Sequence, residues 1–216
     1  MMAGRKSTLL GAELAAVVDA LRRVTVQVRT GGGGSGQGAG VVWNQMGLVI
    51  TNAHVVRGER TKIEFSDGSV ASARVVARDR RRDLAALELA DRPPRPPQGA
   101  SVSAVRADSP SLRVGDLVIA LGHPGGAAAA AAAATLGIIH AVDGDADRPP
   151  RWIRADVQLA PGFSGGPLAD AAGRVIGINT LMQGGLAFAV PAPVVARWVT
   201  RAWQPADAGA GAGAAR

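Results

Sequence analysis

A serine flanked by glycines stands in Gly162-Phe163-Ser164-Gly165-Gly166-Pro167-Leu168, directly ahead of a run that reads as a strand. Glycines let the backbone take conformations that other residues resist, and let a substrate main chain come close. In that setting a Ser Oγ can act as a nucleophile while nearby backbone N–H groups face a developing oxyanion. A glycine-rich turn between two strands is the plain alternative, and the loop alone does not choose between them. Nucleophilic chemistry needs two further parts, a base and an acid that orients it.

The chain has three histidines: His54, His123 and His140. An imidazole titrates near neutral pH, which suits a general base. His54 ends a predicted strand in Thr51-Asn52-Ala53-His54-Val55-Val56, where capping the strand end is the plain reading. His123, in Gly122-His123-Pro124-Gly125, reads as a turn residue, and His140, in Ile138-Ile139-His140-Ala141, as a surface or satisfied core residue. The orienting acid must be buried enough to hold an imidazolium, so it should border apolar residues. Asp83 does so, as the last polar residue before Leu84-Ala85-Ala86-Leu87, although capping that strand start would account for it in isolation. Asp79 competes, but an ion pair with the arginines around it is explanation enough. His54, Asp83 and Ser164 follow the His–Asp–Ser order of the two-barrel serine hydrolases.

The elements around these residues fit that layout. Leu10, Leu14, Val17, Val18 and Leu21 recur at helical spacing, so a helix is predicted over 9–23. Val24 to Arg29 then alternates as a half-buried strand. A Gly/Ser loop is expected over 31–38, and short strands over 40–43, 48–51, 62–65, 69–76 and 84–89. Short antiparallel strands at this spacing argue for a barrel or sandwich. Pro93, Pro94, Pro96 and Pro97 break the chain, since proline can neither continue a helix nor join a central strand. A second β-rich half follows, with strands over 117–121, 136–141, 152–156, 166–169, 175–180 and 186–190 and a helix from Pro191 to about Trp203. Ala127 to Ala134 is read as a loop. The division expected is an N-terminal segment 1–23, a first barrel 24–92, a linker 93–101, a second barrel with its helix 102–203, and a disordered tail 204–216.

The 216-residue chain is ample for a sizeable core. It has no Cys, so disulfide-stapled scaffolds are excluded. The net charge of +7 invites a nucleic-acid reading. The basic residues are almost all Arg, scattered, and not interleaved with aromatics, so no nucleic-acid partner is expected. No stretch reaches the roughly 20 apolar residues of a membrane span. Glu13 and Asp19 interrupt the N-terminal apolar run, so it does not read as a secretory signal and the chain is expected to be cytoplasmic as it stands.

Seven stretches in order resemble the protease domain of the HtrA (Deg) family of trypsin-like serine proteases. They are residues 47–56, 82–87, Gly115-Asp116 with Ala120-Leu121-Gly122, Gly137-Ile138-Ile139, 162–168, 175–180 and 186–191. The resemblance implies two six-stranded antiparallel β-barrels of the chymotrypsin type, short N- and C-terminal helices, and a serine endopeptidase acting on unfolded or misfolded polypeptides. It implies Ser164 as nucleophile, His54 as base and then acid, Asp83 as orienter, and the backbone N–H groups of Gly162 and Ser164 as the oxyanion hole. A specificity pocket is implied at Gln158, Ile178, Asn179 and Thr180. With no acid at Gln158, small or medium apolar side chains are expected before the cut. No cofactor or metal is implied. A homotrimer through N-terminal residues and a helix packed on its own barrel are both left open, and no PDZ domain is expected within these residues. Three departures stand out: Phe163 where the family usually has Asn, Leu159-Ala160-Pro161 for Ile-Asn-Pro, and the alanine run in a regulatory loop. They motivate an alternative, a latent protease-fold binding or chaperone-like protein.

Overall fold

The computed structural model describes residues 3–29, 37–90, 112–124, 132–144 and 151–204, with side chains from Gly11 onward. Helix α1 (Ala3–Val24) leads into six strands: β1 (Thr25–Arg29), β2 (Gln37–Val42), β3 (Leu48–Thr51), β4 (Arg60–Glu64), β5 (Val70–Asp79) and β6 (Leu84–Leu89). Six more follow: β7 (Leu117–Gly122), β8 (Ala133–Asp143), β9 (Trp152–Asp156), β10 (Pro167–Asp170), β11 (Val175–Gln183) and β12 (Leu186–Pro191). Helix α2 (Ala192–Ala202) closes the described chain. The Pro-rich linker, the tail beyond Gln204 and residues 125–131 of the alanine-rich loop lie outside the described residues.

The strands form two closed antiparallel barrels, β1-β2-β3-β6-β5-β4 and β7-β8-β9-β12-β11-β10. The second repeats the connectivity of the first. Closure removes every free sheet edge, the standing hazard of antiparallel sheets. The sequence pattern explains how the barrels then meet. Residues alternate between faces along a strand, yet β3 is buried throughout and β6 nearly so. Val49, Ala85 and Leu87 fill the first barrel, while Leu48, Ile50, Leu84 and Ala86 point the other way. There they join Ile119, Leu121, Ile178 and Val190 of the second barrel in one shared cluster. Val118 and Ala120, which alternate with those β7 residues, pack inside the second barrel. The near-continuous apolar runs of β3, β6 and β7 therefore reflect burial on both faces.

Both helices pack on this shared seam. Leu21 of α1 is buried in it, with Leu14, Val17 and Val18 against it, so this face of the predicted N-terminal helix is occupied by the chain's own barrels. Helix α2 places Val195 and Val199 on the same cluster. Trp203, just past its end, donates from Nε1 to Glu88 Oε1 at 3.2 Å, tying the end of the second barrel to β6 of the first.

Two expectations are corrected. The alanine run was expected to be loop throughout, but Ala133 and Ala134 belong to β8, opposite Gly122 and Leu121. Alanine's helix preference is a few tenths of a kcal/mol over most residues, and β7 supplies the partner that overrides it. Likewise β5 runs to Asp79 instead of Val76, because pairing with β6 continues to Asp79 opposite Leu84 across a bulge.

The seam should behave as one core. Leu48→Ala is expected to lose about 2–5 kcal/mol of unfolding free energy in urea titration, whereas Leu181→Ala, 42% exposed, should change it by no more than about 0.5 kcal/mol.

Candidate active site

Two turns of the first barrel meet at its open end. The chain leaves β3 at Thr51 and turns through Asn52–Val55, which carries His54. The turn between β5 and β6 ends at Asp83, whose φ of 55° is the one positive value outside glycine among the described residues. Asp and Asn tolerate that region better than most side chains. In this pose the Asp83 carbonyl accepts from Ala53 N–H (3.2 Å) and from Asn52 Nδ2 (2.9 Å). Its carboxylate accepts His54 N–H on Oδ1 (3.0 Å) and the His54 ring on Oδ2 (2.6 Å from Nδ1).

An ionised carboxylate only accepts, so the proton of a neutral His54 sits on Nδ1 and Nε2 keeps its lone pair. The hydrogen bond to Asp83 raises the His54 pKa above the ordinary 6.5, burial opposes it, and the carboxylate charge adds to the rise. The ring is half exposed, as a base that meets substrate must be. Asp79, the competing acid, is occupied elsewhere. It receives the backbone N–H groups of Arg81 and Arg82 and pairs with the Arg82 guanidinium at 2.6 Å.

The second barrel presents Ser164 on the loop before β10. Gly162 has φ +100° and Gly165 φ +85°. A Cβ at Gly162 would lie 2.0 Å from the His123 carbonyl oxygen, and one at Gly165 2.2 Å from both the Ala39 carbonyl and Thr51 Oγ1, so both positions require glycine. The loop's backbone groups can be followed one by one. Phe163 N–H bonds Ala160 O, Gly165 N–H bonds Asn179 O, Gly166 N–H bonds Phe163 O, and Gly162 O receives His123 N–H. The Ser164 carbonyl accepts Ala39 N–H at 2.8 Å, a bond between the two barrels. Only the N–H groups of Gly162 and Ser164 remain without an acceptor in this loop, among the described residues.

The Ser164 hydroxyl donates to Thr180 O at 3.2 Å and makes no hydrogen bond to His54. Thr180 Oγ1 in turn accepts Asn52 Nδ2 at 3.1 Å. Asn52, fully buried, thus joins the Asp83 turn to the β11 residue that holds the serine. Asn52 was not among the expected site residues; its presence beside His54 was the only sequence signal.

The expected pocket residues divide. Gln158 is exposed ahead of the Ser164 loop. Ile178 and Asn179 are 0% exposed, so neither side chain lines an open pocket. Ile178 belongs to the seam between the barrels, and Asn179 Nδ2 donates to Pro167 O at 2.8 Å. Both serve as backing for the serine loop, and Thr180 reaches it through its carbonyl.

The model of a trypsin-like peptidase domain matches residues 38–178. The chain belongs to the trypsin-like peptidase family. Its relatives are of the HtrA and DegP type. It is 36% identical over 168 residues to HhoA of Synechocystis sp., which is named as a serine protease, covering 73% of this chain and 40% of that one. A DegP-like periplasmic serine endoprotease of Brucella suis is 36% identical over 164 residues, covering 72% of this chain and 30% of the other. Serine protease HTRA1 of Xenopus tropicalis is 31% identical over 182 residues, covering 81% and 38%. The chain therefore spans less than half the length of these relatives. No helix among the described residues is long and apolar enough to cross a membrane.

Two buried side chains lie beside the serine loop of this trypsin-like domain. Phe163 is 2% exposed and packs inside the second barrel. A Cβ at Gly122 would meet Phe163 Cα at 2.4 Å, so the ring anchors the serine loop directly over the Gly122–His123 segment. His123, read from sequence as a turn residue, is 4% exposed, and neither ring nitrogen has a well-formed hydrogen bond. Burial lowers its pKa below 6.5; the Glu64 charge and the Thr25 backbone oppose this without cancelling it.

A base with a lowered folded-state pKa is protonated first in the unfolded chain, so it costs stability as pH falls below 6.5. His54, with a raised pKa, has the opposite sign: its contribution is complete below 6.5 and is lost as pH rises through the raised value. His123→Met should therefore lessen the loss of unfolding free energy between about pH 6.5 and pH 5, measured by urea titration, and leave the trend above pH 7 as it was.

Proposed function

We propose that this chain is a serine endopeptidase in which Ser164 is the nucleophile, His54 the general base and Asp83 its orienting acid. The observation that carries the reading is the two-point hold of Asp83 on His54, with the ring bonded at 2.6 Å and the backbone at 3.0 Å. That hold fixes tautomer and ring plane together, the part an orienting acid plays in such triads. In the proposed reaction the Ser164 hydroxyl turns from Thr180 O to His54 Nε2 and gives up its proton as Oγ attacks the scissile carbonyl. The oxyanion is received by the Gly162 and Ser164 N–H groups. His54 then protonates the leaving amine, and water repeats the cycle on the acyl-enzyme.

Substrates in this reading are unfolded polypeptides. Gln158 carries no charge, so small or medium apolar side chains are preferred over Lys or Arg before the cut. A second reading, a latent protease-fold protein with binding or chaperone-like activity, is favoured by one observation: the Ser164 hydroxyl rests on Thr180 O.

A fluorophosphonate probe separates the two. The active reading expects labelling that Ser164→Ala abolishes; a folded protein that stays unlabelled across pH 7–9 supports the latent one. The labelling rate should rise with pH through a midpoint above 6.5, since only neutral His54 accepts the proton. Asp83→Asn should slow peptide cleavage on the order of 10,000-fold and move the midpoint to lower pH, because the largest cause of the raised value is gone. Gly162→Ala should cost about 100-fold or more in cleavage rate, because the added Cβ collides with the His123 carbonyl and turns the Gly162 N–H away from the oxyanion.

A further inference from the structure

Away from these three residues the fold gathers positive charge at one place. The β5–β6 turn, the start of β9 and helix α2 surround a cavity of about 660 Å³. Five arginines line it: Arg81 and Arg82 from the turn, Arg151 ahead of β9, and Arg197 and Arg201 from α2. Arg82 is paired with Asp79. Among the described residues the other four guanidinium groups have no carboxylate partner and no acid lines the cavity. Like charges gathered around one concave surface raise the local potential and attract anions. The remaining wall is apolar, formed by Trp152, Trp198, Val190 and Val194.

We propose that this cavity binds an acidic peptide segment in which carboxylates flank an apolar side chain. The volume lies in the usual range of ligand sites, roughly 300–1,000 Å³. Guanidinium forks match planar carboxylates in bidentate geometry, which a lysine ammonium does not. Trp152 and Trp198 supply broad apolar surface that a small inorganic anion would leave unused. The arginines converge on one cavity from three elements instead of lining an extended track, so the arrangement does not follow a nucleic-acid backbone. The site contains none of His54, Asp83 or Ser164, and it does not depend on the proteolytic reading.

The test uses the full chain carrying Ser164→Ala, so that the probe is not cut, and a fluorescein-labelled peptide of sequence Glu-Glu-Phe-Glu-Glu read by anisotropy. Arg81→Glu, Arg151→Glu and Arg197→Glu, each on a different element, should each weaken binding at least five-fold. Arg57→Glu and Arg60→Glu, exposed but outside the cavity, should stay within two-fold. A peptide with Gln for Glu should not bind measurably, and one with Ala for Phe should bind at least five-fold more weakly. The proposal is overturned if the control arginines matter as much as the cavity ones, since that is bulk charge. It is also overturned if the Ala peptide binds as well as the Phe peptide, or if tripolyphosphate or duplex DNA binds more tightly than either. Thermal unfolding of each variant, expected within about 2 °C of the parent, separates loss of binding from loss of fold.

Discussion

A single backbone hydrogen bond, Ala39 N–H to Ser164 O at 2.8 Å, joins the strand β2 of one barrel to the serine loop of the other. Neither barrel holds the candidate site alone. His54 and Asp83 ride on turns of the first, and Ser164 with its two free N–H groups rides on the second. Their relation is therefore set by how closely the barrels approach. Gly165 measures that approach: a Cβ there would lie 2.2 Å from both the Ala39 carbonyl and Thr51 Oγ1. The apolar seam of Leu48, Ile50 and Leu84 against Ile119, Leu121 and Ile178 supplies the driving force, and the polar contacts at its end set the register.

Asn52 extends the same logic to the side chains. One amide spans the Asp83 carbonyl and Thr180 Oγ1, so the Asp83 turn and the residue on which the serine hydroxyl rests share a buried partner. Buried polar groups that are bonded on both sides hold a fixed geometry, and a missing partner costs more than the bond itself contributes. Phe163 works from the other direction. It is buried in the core of the second barrel and so fastens the serine loop by packing.

Much of this was legible in the residues. β3, β6 and β7 announce themselves as apolar runs, and the order of His54, Asp83 and Ser164 with glycines around the last already points to two barrels. Segments whose neighbours decide their state were less legible. Ala133 and Ala134 carry no strand signal of their own and become strand because β7 lies beside them. His123 stands between glycine and proline like a turn residue, yet its ring is buried, with Thr25 and Glu64 of the first barrel acting on it. The segment holding Ile178 and Asn179 was expected to line a pocket, yet both residues are 0% exposed, Ile178 in the seam between the barrels. In each case the deciding contact comes from far along the chain, where no local pattern records it.

The central claim is that the two barrels together place a nucleophile, a base and an oxyanion site around one reacting atom. A crystal structure with a peptide boronate bound tests it most directly. The expected result is a covalent bond from Ser164 Oγ to boron, one boronate oxygen within hydrogen-bonding distance of the Gly162 and Ser164 N–H groups, and His54 Nε2 turned toward the adduct. An adduct on another residue, or a boronate on Ser164 whose oxygens face away from both N–H groups, would contradict it.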